Sequence, residues 1–202
     1  MEKKEIYIPV IQGKVLGVEL FRGYAPLSVL SLISRPDIYD SVTNPTGTQR
    51  DLSPKHAKEA YEYVRYRDFA FWPEVFLCVR DLSVFQYKPK KEDQCFGEII
   101  IDISIIEANP EKIYISRVDG NHRLFYGDGK SNGFDPIDKD VSFCITEKLD
   151  INKEIILFRD INNNQKRMST SHLDNIETRL SDEEVLKRKN PSLFIAKKLG
   201  ID

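Results

Sequence analysis

Apolar and polar residues alternate at the start of the chain, a pattern typical of strands that bury one face. Between residues 5 and 20 the alternation predicts a β-hairpin with its turn at Gln12-Gly13, since glycine adopts a positive φ with little strain. A helical pattern begins at Pro26 and ends before Pro36. A loop rich in proline, glycine, asparagine and aspartate then continues to residue 52.

The clearest predicted helix follows this loop and covers 54–67. Ser53 is a favourable cap, Pro54 suits the first helical position, and apolar residues then recur at helical spacing through Val64. From residue 152 onward the periodicity is again helical. Runs of β-branched and aromatic residues predict further strands at 73–79, 97–106, 112–118 and 141–149.

Together these elements predict an α+β protein. The change of pattern near residue 150 predicts two parts, a main domain over 1–150 and a helical extension over 151–202. The main domain is long enough to bury a hydrophobic core without disulfides or metal ions.

Composition narrows the functional classes. The 202 residues carry 30 basic and 32 acidic side chains, and the formal net charge of −2 argues against strong nucleic-acid binding by this chain alone. The apolar runs are far shorter than the roughly 20 residues of a membrane span, and no signal peptide is recognisable, so a cytoplasmic location without a membrane is expected. The three cysteines are widely separated, which argues against a zinc site or a disulfide framework.

The residues best suited to chemistry lie in 119–123, between a predicted strand and the start of a helix. Backbone N–H groups at a helix start attract anions, glycine permits close approach, and Arg123 could bind two phosphate oxygens. Asp119 could hold Mg²⁺ that arrives with a nucleotide, and His122 could hydrogen-bond a phosphate or transfer a proton. Two plainer roles stay open, because Asp119 could cap the helix and Arg123 could pair with Asp119.

The stretch 118–124, with the sequence VDGNHRL, resembles the signature of the DGQHR-domain family, with Asn121 in place of the family's glutamine. That family includes the DndB proteins of DNA phosphorothioation systems, and it is related to the ParB/sulfiredoxin fold. Members of that fold bind ATP or CTP, and some are free-serine kinases with a similar Asp-Gly-His-His-Arg stretch. The resemblance therefore implies a ParB/sulfiredoxin-like fold, in which a mixed sheet is flanked by helices and carries a nucleotide site.

Two further segments strengthen the resemblance, and all three occur in the family's order. The segment 47–53 resembles an upstream Gln-Arg element, which implies phosphate contacts by Gln49 and Arg50. The segment 158–166 resembles a downstream Phe-x-x-Ile-Asn element, which implies base or ribose contacts by Asn162 or Gln165. For the asparagines of that segment, a turn at the end of a helix is the alternative interpretation.

The resemblance implies a protein that binds and hydrolyses ATP, or another nucleoside triphosphate, in service of a DNA modification or defence system. Asp119 would then bind Mg²⁺, Asp119 and His122 would act in catalysis, and the phosphates would contact Gly120, Asn121, His122 and Arg123. The alternatives are a DNA-binding transcriptional regulator of such a system and a small-molecule kinase. Expected partners are the nucleotide, DNA, DNA-modification proteins and a second copy of the chain. Because relatives are generally longer, the chain is expected to be a fragment with a truncated extension.

Overall fold

A computed structural model describes residues 4–42, 44, 47, 52–110, 112, 114–147, 149–164, 174, 176–178 and 181–199. Over these residues the chain is a mixed α+β protein, as the sequence predicts, with an eight-stranded sheet and several helices. It divides into two compact units, Met1–Ile161 and Asn162–Asp202. Among the described helices, none combines the length and the apolar character that a membrane span needs.

The sheet contains both parallel and antiparallel neighbours. Its strand order is β3-β7-β4-β8-β2-β1-β6-β5. Two pairs, β4 with β8 and β3 with β7, are parallel, and the remaining pairs are antiparallel. The strands are β1 Glu5–Val15, β2 Val18–Pro26, β3 Ser34–Arg35, β4 Val75–Val79, β5 Phe85–Pro89, β6 Phe96–Asp102, β7 Ile115–Asp119 and β8 Asp140–Glu147.

The helices are mostly short. They are α1 Leu27–Ile33, α2 Pro54–Arg65, α3 Ile103–Ala108, α4 Asn121–Leu124, α5 Ile151–Asn164, α6 Glu183–Lys189 and α7 Pro191–Leu199. The helix predicted after Ser53 is confirmed, because the Ser53 hydroxyl accepts a hydrogen bond from the His56 backbone N–H at 3.5 Å and Pro54 is the first helical residue. The two units divide within α5, one turn before its end.

The predicted hairpin is present, but its turn lies at Leu16-Gly17 and not at Gln12-Gly13. Both turn residues have positive φ, 49° for Leu16 and 90° for Gly17, as a two-residue hairpin turn requires. Gly13 instead lies within the ladder, opposite Leu20. The turn is displaced because β1 is long enough to pair with β2 and β6 at once, which fixes its register.

The strand predicted over 97–106 is wrong at its C-terminal end. β6 ends at Asp102, and α3 begins at Ile103. The Asp102 carboxylate accepts a hydrogen bond from the Ser104 backbone N–H at 3.0 Å, so this aspartate caps the helix. The isoleucine run of 103–106 fits either a strand or a helix, and the cap decides between them.

The hydrophobic core positions the turn that follows β7. Val75 pairs with Phe143 and Leu77 with Ile145, so these buried residues share one face of the sheet. Leu124 of α4 is fully buried and belongs to the same cluster, which anchors the short helix after β7. Helices α1 and α2 contribute further members, namely Leu27, Leu30, Ile33, Tyr61 and Val64.

Candidate functional site

The predicted order of strand, glycine turn and helix is present at 115–124. β7 ends at Asp119, Gly120 adopts a left-handed conformation with φ of 97°, and α4 begins at Asn121. The backbone N–H of Leu124 donates to the carbonyl of Gly120 at 3.0 Å, which closes a single helical turn. The chain therefore passes through a single left-handed glycine from the carboxyl end of β7 into a helical turn.

Gly120 is required by packing as well as by its backbone angle. A Cβ atom at this position would lie 2.7 Å from Cγ1 of Val75, which belongs to the neighbouring strand β4. The sequence suggests that this glycine lets a phosphate approach the backbone closely. In the structure, the close approach is made by the Val75 side chain, and it holds the turn against the sheet.

Asp119 and Arg123 form an ion pair across the turn. The guanidinium donates one hydrogen bond to the Asp119 carboxylate and another to the backbone carbonyl of Pro73, which precedes β4. Both side chains are mostly buried, with exposed fractions of 16% for Arg123 and 21% for Asp119. The plainer role of Arg123, pairing with Asp119, is thus present in the structure, and the pair offers a charge of each sign at one place.

Asn121 has an unusual environment for a polar residue. It is 7% exposed, and its Oδ1 atom is the buried side-chain polar atom for which the described part of the chain provides no hydrogen-bond partner. A buried acceptor without a donor costs about 1–3 kcal/mol. Such an atom in a native protein calls for an explanation, and a bound ligand or water is the usual one. The residue was singled out from sequence, but nothing in the sequence predicts this environment.

His122 connects the turn to the loop before α2. Its Nε2 atom accepts a hydrogen bond from the Ser53 backbone N–H at 3.2 Å, and its ring lies 6.0 Å from that of His56 in an edge-on arrangement. The starts of α2 and α4 are therefore neighbours, although 69 residues separate Ser53 from His122. The sequence interpretation predicted that these two segments converge. Gln49 and Arg50, which it placed at the same site, lie outside the described residues.

The downstream element is described in part. Asn162 is exposed and lies in the last turn of α5, and it belongs to the second compact unit. The helix ends at Asn164, in agreement with the sequence pattern, which predicts that it ends at 162–164. Gln165 lies outside the described residues, so contacts of Asn162 and Gln165 with a base or ribose stay predictions.

A second ion pair lies near the turn and was not recognised as a pair from sequence. Arg22 of β2 donates to Glu74 at 3.0 Å, and Arg22 is directly opposite Cys144 in the register of β2 and β8. Burial, together with the negative charge of Glu74, raises the pKa of the Cys144 thiol, which therefore stays protonated and is not a nucleophile. Because 52 residues separate Arg22 from Glu74, no sequence pattern connects them.

The donor set of the turn limits which metal ion it could hold. Among the described residues there is no cluster of three or more histidine, cysteine, aspartate or glutamate side chains that could bind a metal ion. The turn itself contributes one carboxylate, that of Asp119, which suits Mg²⁺ delivered with phosphate ligands and does not suit a zinc or calcium centre built from protein side chains alone.

Comparison of the chain with protein-family models, with curated proteins and with solved structures found no match in any of the three. The resemblance to DGQHR-domain proteins therefore rests on the three sequence segments described above.

Proposed function

We propose that the turn formed by Asp119, Gly120, Asn121, His122 and Arg123 binds a nucleoside triphosphate together with Mg²⁺, with ATP as the expected nucleotide. The observation that carries the proposal is the buried Oδ1 atom of Asn121, which has no hydrogen-bond partner among the described residues and lies next to a charged pair. A polar atom in this condition is stabilised by a ligand that brings a donor.

The Asp119–Arg123 pair complements such a ligand in charge. A Mg²⁺-bound triphosphate presents a cation and an anion side by side. Asp119 could therefore exchange its bond to Arg123 for one to the metal ion, and Arg123 could bind a phosphate oxygen instead. Mg²⁺ usually retains several water molecules, and one of them would supply the donor that Oδ1 of Asn121 lacks. The Asp119–Arg123 pair would thereby be replaced by two charge-assisted contacts with the ligand. This exchange is favourable because both side chains are already largely removed from solvent.

His122 adds a further group to the same place. An imidazole that accepts at Nε2 carries its proton on Nδ1 when it is neutral, so His122 can act as both acceptor and donor. The hydrogen bond from Ser53 also brings the end of the 47–53 segment to the turn. This proximity supports the proposal that Gln49 and Arg50 contribute to phosphate binding, as the resemblance implies.

Hydrolysis of the bound nucleotide and service in a DNA modification system are the finer part of the proposal. They rest on the resemblance, with Asp119 and His122 as the groups that would orient and deprotonate a water molecule. Each alternative would show itself directly. Release of ADP that requires a small acceptor would indicate a kinase, and binding of DNA that weakens with salt would indicate a regulator.

Isothermal titration calorimetry with ATP and Mg²⁺ tests the binding site. We expect micromolar affinity for the parent protein and a loss of about tenfold to 100-fold for Arg123→Ala and for Asp119→Asn, because each removes a charge-assisted contact. A matched control is Arg65→Ala, since Arg65 forms an ion pair with Asp135 at 2.9 Å elsewhere in the same unit. Thermal melts establish that each variant is folded.

The expected result is a loss of ATP affinity in both turn variants and no change in the Arg65 control. The proposal is wrong if folded Arg123→Ala and Asp119→Asn proteins bind ATP as tightly as the parent, or if the parent binds no nucleotide. Measurement of ADP release by the same variants then separates hydrolysis from binding alone.

A further inference from the structure

A cavity of about 270 Å³ lies between the segment that follows α2 and the ends of β2 and β8. Its walls include three aromatic side chains, Tyr24, Phe71 and Trp72. Tyr24 and Phe71 are largely exposed, at 73% and 78%. Exposed aromatic rings around a concavity present flat apolar faces to a ligand, and nucleobases stack on such faces.

The Trp72 wall is held in place by neighbouring side chains. Its ring is stacked with Tyr63 at a centroid distance of 6.3 Å and an interplanar angle of 16°. Arg67 in turn lies over the Tyr63 ring, 4.7 Å from its centroid. A flat ligand that enters the cavity therefore meets an aromatic surface that is already ordered, which lowers the entropic cost of binding.

The cavity is adjacent to the proposed phosphate site. Trp72 directly precedes Pro73, whose carbonyl accepts the hydrogen bond from Arg123, and consecutive Cα atoms are about 3.8 Å apart. On the sheet, Tyr24 is opposite Ser142, two residues along each strand from the pair of Arg22 and Cys144. Trp72 is thus one residue along the chain from the carbonyl that the Arg123 guanidinium contacts, and this connection is the basis for assigning both places to one nucleotide.

Two carboxylates give the cavity a chemical preference. Asp68 and Asp140 line it, and neither side chain forms a hydrogen bond or an ion pair within the described part of the chain. Ionised carboxylates accept hydrogen bonds and cannot donate them. They favour a base with an exocyclic amino group over uracil. The cavity is also lined by two cations, and both are engaged within the protein: Lys139 donates to two backbone carbonyls at 2.8 and 3.0 Å, and Arg67 lies over the Tyr63 ring.

We infer that this cavity receives the base of the nucleotide, that the base carries an exocyclic amino group, and that it stacks against Trp72, Tyr24 and Phe71. The inference rests on the proposed function of the Asp119–Arg123 turn. It extends that function by assigning the two ends of the ligand to two separate places in the fold.

Fluorescence is the direct test, because Trp72 is the single tryptophan of the chain. We expect ATP and adenosine to change its emission on binding. Inorganic tripolyphosphate should bind to the full chain by calorimetry and leave the emission unchanged. UTP should bind more weakly than ATP.

Substitutions separate the base from the phosphates. Tyr24→Ala and Phe71→Ala should each weaken ATP about tenfold and leave tripolyphosphate affinity unchanged, since loss of a stacking surface affects only the base. Phe69→Ala is the matched control, because Phe69 is an exposed aromatic, at 91%, that does not line the cavity. Arg123→Ala should weaken both ligands.

The outcomes distinguish this inference from the proposed function. If Tyr24→Ala and Phe71→Ala bind ATP like the parent and Arg123→Ala does not, the base lies elsewhere and the phosphate site stands. If tripolyphosphate does not bind and Arg123→Ala has no effect on ATP, the proposed function fails. Equal affinities for ATP and UTP would contradict the role of Asp68 and Asp140.

Discussion

The two ends of β7 carry polar clusters that differ in how completely they are satisfied. At the amino end, Arg80 donates to Glu154 at 2.9 and 3.0 Å and to Asp37 at 2.8 Å. Ser116 donates to the same Glu154 at 2.6 Å, and Tyr114 donates to Asp37 at 3.2 Å. Glu154 is fully buried, and it has a partner for each carboxylate oxygen.

At the carboxyl end, the Asp119–Arg123 pair stands next to an acceptor without a partner, Oδ1 of Asn121. Polar residues are half or fully buried at both ends, so burial does not distinguish the clusters. The clusters differ in whether every polar group already has a hydrogen-bond partner. A network in which every group is bonded has a structural role, whereas an incompletely bonded cluster beside a charged pair is where a ligand can add hydrogen bonds.

The largest loss of stability is expected when the fully hydrogen-bonded cluster at the amino end of β7 loses its arginine. Replacement of Arg80 by methionine leaves the carboxylates of Glu154 and Asp37 buried without their common cation. We expect a loss of about 3–5 kcal/mol in the free energy of unfolding, because a buried charge without its partner is strongly destabilising. Urea denaturation of the parent and the variant measures it.

Arg123→Met provides the comparison at the other end of β7. Its partner Asp119 keeps some access to solvent, so the expected loss is about 1 kcal/mol. If the two substitutions destabilise the protein equally, the clusters do not differ in the way argued above.

A smaller loss is expected at Gly120. Alanine there must adopt a positive φ, and its Cβ would lie 2.7 Å from the Val75 side chain, so we expect a loss of about 2 kcal/mol. The control is Gly13→Ala in β1, where a Cβ meets no atom within 4 Å and φ is not positive. Chemical denaturation of both variants tests the difference, and a neutral Gly120→Ala would show that Val75 can move aside.

Local sequence predicted the order of elements around the site, and long-range contacts decided the rest. The cap and proline at the start of α2 and the polar turn after β7 are local features, so both were predicted. The hairpin turn was misplaced because both Gly13 and Gly17 are compatible with a turn, and pairing with a third strand selects Gly17.

The polar clusters themselves could not be predicted. Arg80 and Glu154 are 74 residues apart, and their contact depends on where α5 packs on the sheet. The burial of Asn121 depends likewise on the packing of Leu124 and Val75, which only the folded structure reveals. The sequence could therefore identify the residues of the turn but not their state of hydrogen bonding.

Acidic pH should reduce the stability that the hydrogen-bonded cluster at the amino end of β7 contributes. Burial opposes ionisation of Asp37, but hydrogen bonds from Arg80 and Asn44 and the charge of Arg80 outweigh it and hold the pKa of this carboxyl below its usual 3.8. A lowered folded-state pKa adds stability above the unfolded-state pKa, and that stability is lost as the pH falls through the folded-state value.

We therefore expect the free energy of unfolding to decrease as the pH falls from about 5 toward about 2, measured by urea denaturation at each pH. The Asp37→Asn variant should be less stable at neutral pH and should lose less on acidification than the parent. An equal acid dependence in the two proteins would assign the effect to other carboxylates.

The smallest loss of stability is expected when Asn121 is replaced. A small loss is informative because it separates a role of this residue in ligand binding from a role in folding. Leucine is similar in size to asparagine and has no acceptor to satisfy, so we expect Asn121→Leu to lower the free energy of unfolding by no more than about 0.5 kcal/mol or to raise it. ATP affinity should nevertheless fall about fivefold, because the ligand loses one hydrogen bond. Denaturation and calorimetry on the same preparation measure both quantities. A loss of about 1 kcal/mol or more, as expected when a hydrogen-bonded side chain is removed, would mean that Oδ1 already has a structural partner such as a buried water molecule. The cluster at the carboxyl end of β7 would then be fully hydrogen-bonded, like the one around Arg80.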